Sequence, residues 1–233
     1  MKITDLFDLA FFNKMIEEGY VALEDHPTNP DVVIANYTKK TQGDGYWNEV
    51  TEQCRGLIYN SQTGEVIARP FRKFFNHNES NAPVLMPGQL VRAFDKLEGS
   101  LGILYFLDGE WQVATRGSFT SEQAIKATEM LKNYTFAHDP DSTILVEIIY
   151  PENRVVVDCG DTEELVYLGN VDHWTGQFGY LPERWSGRAA PLLYAGPLSG
   201  LFKQSERRNA GGFVVHTEFG EMVKVLKLKG DEK

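Results

Sequence analysis

Residues 101–115 read LGILYFLDGEWQVAT. Two runs rich in apolar and aromatic residues, 101–107 and 110–115, flank Asp108-Gly109, a pair that supplies the positive φ angles of a two-residue type I′ turn. The stretch predicts a tight antiparallel hairpin. Upstream, 54–60 (CRGLIYN) and 65–71 (EVIARPF) flank Ser61-Gln62-Thr63-Gly64 and predict a second hairpin. The Asn- and Pro-rich residues 76–89 predict a connecting loop, and DHPTNPD at 25–31 another. Downstream, Thr120 and Gln123 have the spacing of a capping box for a helix over about 121–133. Ala124, Ala127, Leu131 and Tyr134 share one face of it. Strand-like runs follow at 143–150, 154–158, 164–171, 212–217 and 221–229. Near the start, Thr4 is expected to cap a helix over about 5–18, with Gly19 as its stop. Antiparallel strands with two or three helices predict an α+β fold, its mostly antiparallel sheets packed on each other and on flanking helices. No break in composition marks a boundary, so residues 1–233 are expected as one domain.

The chain has 233 residues, 42% hydrophobic and 24% charged. That is ordinary globular usage and argues against wholesale disorder. No apolar run approaches the roughly 18 residues of a membrane span. Asp5 and Asp8 interrupt the apolar start where a secretory signal would be unbroken, so a cytoplasmic protein is expected. Two cysteines, Cys54 and Cys159, are too few for a disulfide scaffold and lack paired zinc spacing. The net charge of −10 excludes a nucleic-acid coat protein or a membrane-surface binder, both of which need a broad positive field. It leaves room for an enzyme with a small basic cleft. The basic residues cluster as Arg69, Arg72 and Lys73; Arg184 and Arg188; Lys203, Arg207 and Arg208; and Lys224, Lys227 and Lys229. The ordinary reading of each cluster is a solvated surface.

The chemistry centres on Phe94-Asp95-Lys96-Leu97-Glu98-Gly99-Ser100. A lysine held at a strand end and partly desolvated is able to lose its proton near neutral pH and act as a nitrogen nucleophile. Gly99 would let backbone approach a ligand closely. Taken alone, the segment reads equally as a Lys–Glu pair at a turn. Its company is more specific. Cys54-Arg55-Gly56 and RPFRKFFN at 69–76 precede it. RGSFTSEQA at 116–124, Glu147 in LVEI, GFVV at 212–215 and Lys227-Leu228-Lys229 follow.

This ordered set resembles the nucleotidyltransferase domain of the T-even-phage RNA ligase 1 family, one of the covalent nucleotidyltransferases. The resemblance runs from about Tyr37 to the C-terminus. It implies a nucleotidyltransferase (ligase) fold and an ATP-dependent RNA ligase working through a lysyl-AMP intermediate. Lys96 matches the nucleophile, and Glu98 and Gly99 complete its motif, where the family often has Asp in place of Glu98. Arg55 and Lys73 match residues that hold the outgoing phosphates, flanked by Tyr37 and Phe75, while Phe74 is expected in the core. Arg116 stands where the family usually has lysine; arginine keeps the charge and adds a bidentate fork. Glu147 matches the carboxylate that accepts from the ribose hydroxyls. Lys227 and Lys229 match the final pair on the α-phosphate, since alternation puts both on one strand face. By distance from Gly212, however, Lys224 fits as the first lysine. The implied cofactors are ATP and Mg²⁺ or Mn²⁺. The implied partners are RNA 5′-phosphate and 3′-hydroxyl ends and an end-healing kinase or phosphatase, with no membrane.

Gly211 departs from the family pattern, because it stands where a metal-side glutamate is expected. It leaves open a catalytically impaired nucleotide- or RNA-binding relative; the other alternative is a nucleotidyltransferase of the DNA ligase or capping type, against which the CRG and RKFFN segments argue. Relatives commonly continue into a further C-terminal domain. None follows the last motif, so a minimal catalytic core or a fragment is expected.

Overall fold

The computed structural model describes residues 1–153, 162–205 and 212–225. The chain runs through α1 (Leu9–Glu17), β1 (Val21–Asp25), β2 (Val32–Tyr37), α2 (Lys39–Asp44), α3 (Glu49–Gln53), β3 (Arg55–Asn60), β4 (Val66–Ala68), β5 (Phe75–Asn76) and β6 (Leu90–Asp95). It continues through β7 (Ser100–Leu107), β8 (Glu110–Ala114), α4 (Glu122–Leu131), β9 (Ser142–Ile149), β10 (Glu164–Asp172) and β11 (Phe178–Gly179). The last elements are β12 (Leu192–Pro197), α5 (Leu198–Ser205), β13 (Phe213–Thr217) and β14 (Met222–Val225). The expected strand at 154–158 and the end of the one at 221–229 lie outside the described residues. The chain forms two compact units, Met1–Lys73 with Glu98–Ala189 and Phe74–Leu97 with Ala190–Lys233.

The first unit carries two antiparallel sheets, in strand orders β1-β2-β3-β4 and β11-β10-β9-β7-β8. The Asp108-Gly109 turn joins β7 and β8, with φ of 52° and 88° as the pair's chemistry requires. The β3–β4 hairpin also forms, but β4 is short. Arg69 leaves its ladder to donate its backbone N–H to Thr143 Oγ1 at 2.8 Å. One core cluster sets α1 and α3 against the first sheet, with Phe12, Met15, Val33, Val50 and Leu57 nearly or wholly buried. A second sets α4 against the other sheet through Leu104, Ala127, Leu131, Val146 and Leu165. Each such aliphatic side chain contributes roughly 1.5–3 kcal/mol on burial.

Two helix starts differ from expectation. Asp8, not Thr4, caps α1, accepting from the Phe11 N–H at 2.8 Å. Thr4 lies in a 3₁₀ turn, Ile3–Asp5. There Ile3 donates to the Gly64 carbonyl at 2.8 Å, and this tether keeps the α-helix from starting earlier. Gly19 ends the helix at φ 76°. Ser121, not Thr120, caps α4, accepting from the Ala124 N–H at 3.2 Å. The Thr120 N–H is already donated to Ser118 Oγ at 3.1 Å.

The second unit is a five-stranded sheet, β12-β6-β13-β14-β5, antiparallel except for the β14–β5 pair. Val91, Ala93, Leu198, Leu201, Phe213 and Val215 form its core beside α5. No helix of the described residues is long and apolar enough to cross a membrane.

Candidate active site

In the first unit, three chain segments bring charged side chains onto one phenol. Tyr37 ends β2 and is 5% exposed. Arg116 lies in the turn after β8 and donates from Nη1 to the Tyr37 hydroxyl at 2.5 Å, its guanidinium carbon 4.7 Å from the ring centroid. Arg55 opens β3, and the Tyr37 phenol is among the groups that act on its guanidinium. Burial pulls the Arg55 guanidinium below its usual range. The phenol and the Glu147 carboxylate push it back up, and Arg116 adds to the lowering. Two cations thus stand at one phenol, beside the Glu147 carboxylate, and the anionic oxygens of a phosphate suit such an array.

Glycine sets how closely these segments approach. Gly56, at φ 98°, has the Ile103 side chain and the Arg116 backbone where a Cβ would stand, the Arg116 carbonyl 3.1 Å away. The glycine after Arg55 thus admits the Arg116 turn. At Gly99 a Cβ would collide with the Ile148 carbonyl and lie 3.1 Å from Glu147 Cγ. Glu147 is the partly buried member of an otherwise buried strand, opposite Leu101 of β7. The close approach at Gly99 is to the Glu147 segment of the chain itself.

The turn carrying Arg116 is itself anchored. Glu24 of β1 accepts from Ser118 Oγ at 2.7 Å and from the Phe119 N–H at 3.1 Å. Ser118 Oγ in turn accepts from the Thr120 and Ser121 N–H groups, both at 3.1 Å. The RGSFTS stretch is thus a cation-bearing turn followed by a helix cap.

Lys73 donates its backbone N–H to the Glu52 carbonyl at 2.7 Å, and its Nζ lies 5.1 Å from the Trp47 ring centroid. Trp47 meets Tyr37 edge to face, centroids 4.9 Å apart at 83°. Arg72 pairs with Glu52 at 3.1 Å. Burial raises the Glu52 carboxyl above its usual value, against the pull of Arg72 and Lys73. Arg69 is not on a solvated surface, as its cluster suggested, but 8% exposed. It donates to Gln53 Oε1 from Nε at 3.2 Å and to the His173 carbonyl at 2.5 Å. Trp47, Glu24 and the Arg69 network carry no periodicity or motif spacing. The one signal for Trp47 was an aromatic residue wedged between Gly45 and the Asn48 cap of α3.

In the second unit, Lys96 directly follows β6 and donates its backbone N–H to the Gly212 carbonyl at 3.2 Å. It lies at a strand end, as expected. Glu98, two residues on, belongs to the first unit. Phe75 is buried at 5%, pairing beside Val223. Phe74, expected in the core, is only partly buried, with Lys224 Nζ 5.0 Å from its centroid. Val223 and Val225 face the core of this unit, and Lys224 alternates to the opposite face of β14. Gly211, Lys227 and Lys229 lie outside the described residues.

Among the described residues, no group of three or more His, Cys, Asp or Glu side chains is placed to hold a metal ion. Cys54 is buried with a free thiol, and burial pushes its pKa up, which suits packing rather than ligation.

Comparisons with known proteins bear on this arrangement. A protein of Autographa californica nuclear polyhedrosis virus, provisionally named a bifunctional polynucleotide kinase/RNA ligase, is 27% identical over 180 residues, 66% of this chain and 26% of that one. A provisionally named RNA ligase of Thermovibrio ammonificans is 30% identical over 179 residues, 70% of this chain and 46% of that one. The chain thus spans about a quarter to a half of the length of these relatives. An archaeal ATP-dependent RNA ligase structure shares the fold, with a TM-score of 0.60 at 15% identity over 94% of this chain and 60% of that one. The family model described as RNA ligase matches residues 53–185, the span from Gln53 beside Arg55 to Trp185 that carries Lys96, Arg116 and Glu147. The chain belongs to this RNA ligase family, of the T-even-phage RNA ligase 1 type.

Proposed function

We propose that the chain is the nucleotidyltransferase domain of an ATP-dependent RNA ligase. The observation that carries this reading is the pair of arginines at the phenol of Tyr37, Arg116 hydrogen-bonded to it and Arg55 acting on it alongside Glu147. Together with Lys73 they suit a polyphosphate. Arg55 and Lys73 take the departing pyrophosphate, and Arg116 offsets charge growing on the transferred phosphate. Glu147 accepts from the ribose hydroxyls.

Lys96 is the nucleophile. Its amine, having given its proton to solvent, attacks the α-phosphorus of ATP. A P–N bond forms, the bond to the bridging oxygen breaks, and pyrophosphate leaves. AMP then passes to an RNA 5′-phosphate, and a 3′-hydroxyl displaces it to seal the strand. A divalent cation, Mg²⁺ or Mn²⁺, neutralises phosphate charge when bound. The described residues offer it no cage, so phosphates and water would be its main ligands. Lys227 and Lys229 are read as the final α-phosphate lysines. The name of the viral relative, which joins kinase to ligase, supports an end-healing kinase as a functional partner.

The test is the covalent adduct. With labelled ATP and Mg²⁺ the full chain should acquire AMP on Lys96, and Lys96→Ala should not, while melting unchanged. An adduct persisting on the variant's lysines refutes the assignment. Gly211 in place of the family's glutamate favours a second reading, a relative that binds nucleotide without transferring it. Reversible ATP binding with no adduct on the unaltered chain would establish that reading instead.

A further inference from the structure

We propose that Trp47 is a positioning residue that holds Lys73 and Tyr37 together as one phosphate-gripping unit. The proposal rests on the reading of Lys73 as a ligand of the departing phosphates. Four side chains form a continuous line. Arg116 lies over Tyr37 at 4.7 Å, Tyr37 meets Trp47 edge to face at 4.9 Å, and Lys73 Nζ lies 5.1 Å from the centre of the indole.

The backbone that carries the indole is well held. The Trp47 backbone N–H donates to the Gly45 carbonyl at 3.0 Å. Gly45 is the left-handed cap of α2 at φ 62°. On the other side Asn48 caps α3, accepting from the Val50 and Thr51 N–H groups, both at 3.0 Å. Thr51 Oγ1 returns to the Tyr46 carbonyl at 3.1 Å. The backbone at Trp47 is therefore held by hydrogen bonds on both flanks, which fixes where its side chain starts.

Lysine needs such a device more than arginine does. Its ammonium is a point charge on a flexible four-carbon stem, and ordering that stem on a ligand costs entropy. An indole face draws the ammonium to one place beforehand. The same indole limits where the Tyr37 ring sits, and so where the hydroxyl shared by Arg55 and Arg116 lies. One side chain that contacts no phosphate thus sets the direction of cations that do.

The experiment uses the full chain with Trp47→Phe, Trp47→Leu and Lys73→Gln. It measures KM and kcat for AMP-adduct formation, and the affinity for inorganic pyrophosphate and for AMP by calorimetry. Trp47→Leu should raise KM for ATP and weaken pyrophosphate binding by about tenfold, while AMP affinity changes by less than about twofold. Trp47→Phe, which keeps a smaller π face, should recover most of that loss. Trp47→Phe combined with Lys73→Gln should lose less than the sum of the two single losses, because part of the Trp47 effect passes through Lys73. Additive losses in that double variant overturn the proposal even if Trp47→Leu fails to fold. So does an equal loss for AMP and pyrophosphate. Wild-type binding of pyrophosphate with unchanged binding in Trp47→Leu overturns this proposal alone. A wild-type chain that binds neither ATP nor pyrophosphate overturns the underlying reading along with it.

Discussion

Replacing Tyr37 by phenylalanine removes one oxygen and leaves the ring. The ring keeps its edge contact with Trp47 at 4.9 Å and its place under Arg116 at 4.7 Å, so packing is preserved. What is lost is the acceptor for Arg116 at 2.5 Å, a hydroxyl that also acts on Arg55. A hydrogen bond to a charged group is worth about 1.5–3 kcal/mol, and the partly exposed Arg116 regains part of that from water. The net loss of orientation is about 2 kcal/mol, or roughly 30-fold in kcat/KM for ATP. Because the two guanidiniums already repel, losing the hydroxyl that acts on both should spread them apart and act on KM first. The assay is the rate of AMP-adduct formation against ATP concentration, with AMP affinity as the control. A change under about threefold in a folded variant would refute the shared-hydroxyl argument. An equal loss for AMP would move the arginines to the nucleoside.

Two further outcomes follow from the fold. Gly99→Ala should cost about 1–3 kcal/mol of stability, since its Cβ drives into the Ile148 carbonyl and the Glu147 stem; unchanged urea midpoints would show that the segment yields freely. Burial lowers His173 to about 4, and burial with Arg92 lowers His216 to about 3. The unfolded histidines protonate near pH 6.5, so below about 6.5 the unfolded chain takes up protons that the folded chain refuses. Stability should fall by up to about 1.4 kcal/mol per pH unit for each histidine. The fall should continue towards about pH 4 for His173 and about pH 3 for His216. Urea titrations at several pH values measure the slope, and a flat profile between about pH 7 and about pH 5 contradicts it.

Local chemistry is legible in the sequence where one short segment determines it. Asp108-Gly109 specifies its turn without help, and so the β7–β8 hairpin reads correctly. Thr4 misleads because a tether from Ile3 to the distant Gly64 overrides a sound local signal. Strands β1, β2, β6 and β12 escaped the reading. β6 and β12 pair with partners far along the chain, which no local pattern records. Tyr37, Arg55, Arg116 and Glu147 are legible because a family pattern names them. Their common hydroxyl is not, since no spacing records which of several nearby groups an arginine will choose. Arg69 shows the opposite error, because a run of basic residues gives no sign that one of them points inward.

The acceptors of Arg69 lie 16, 74 and 104 residues away along the chain: the side chain of Gln53, Thr143 Oγ1 and the carbonyl of His173. The β7–β8 hairpin closes over two residues. Closure entropy rises with the logarithm of loop length, so contacts of such separation form only after their ends have been gathered by other means. Lys73 lies four residues beyond Arg69 and Arg55 two beyond Gln53. In kinetic terms, the scaffold of Lys73 and Arg55 should be tied by late-forming bonds, its order depending on nearly the whole length of its unit rather than on the segments that display it.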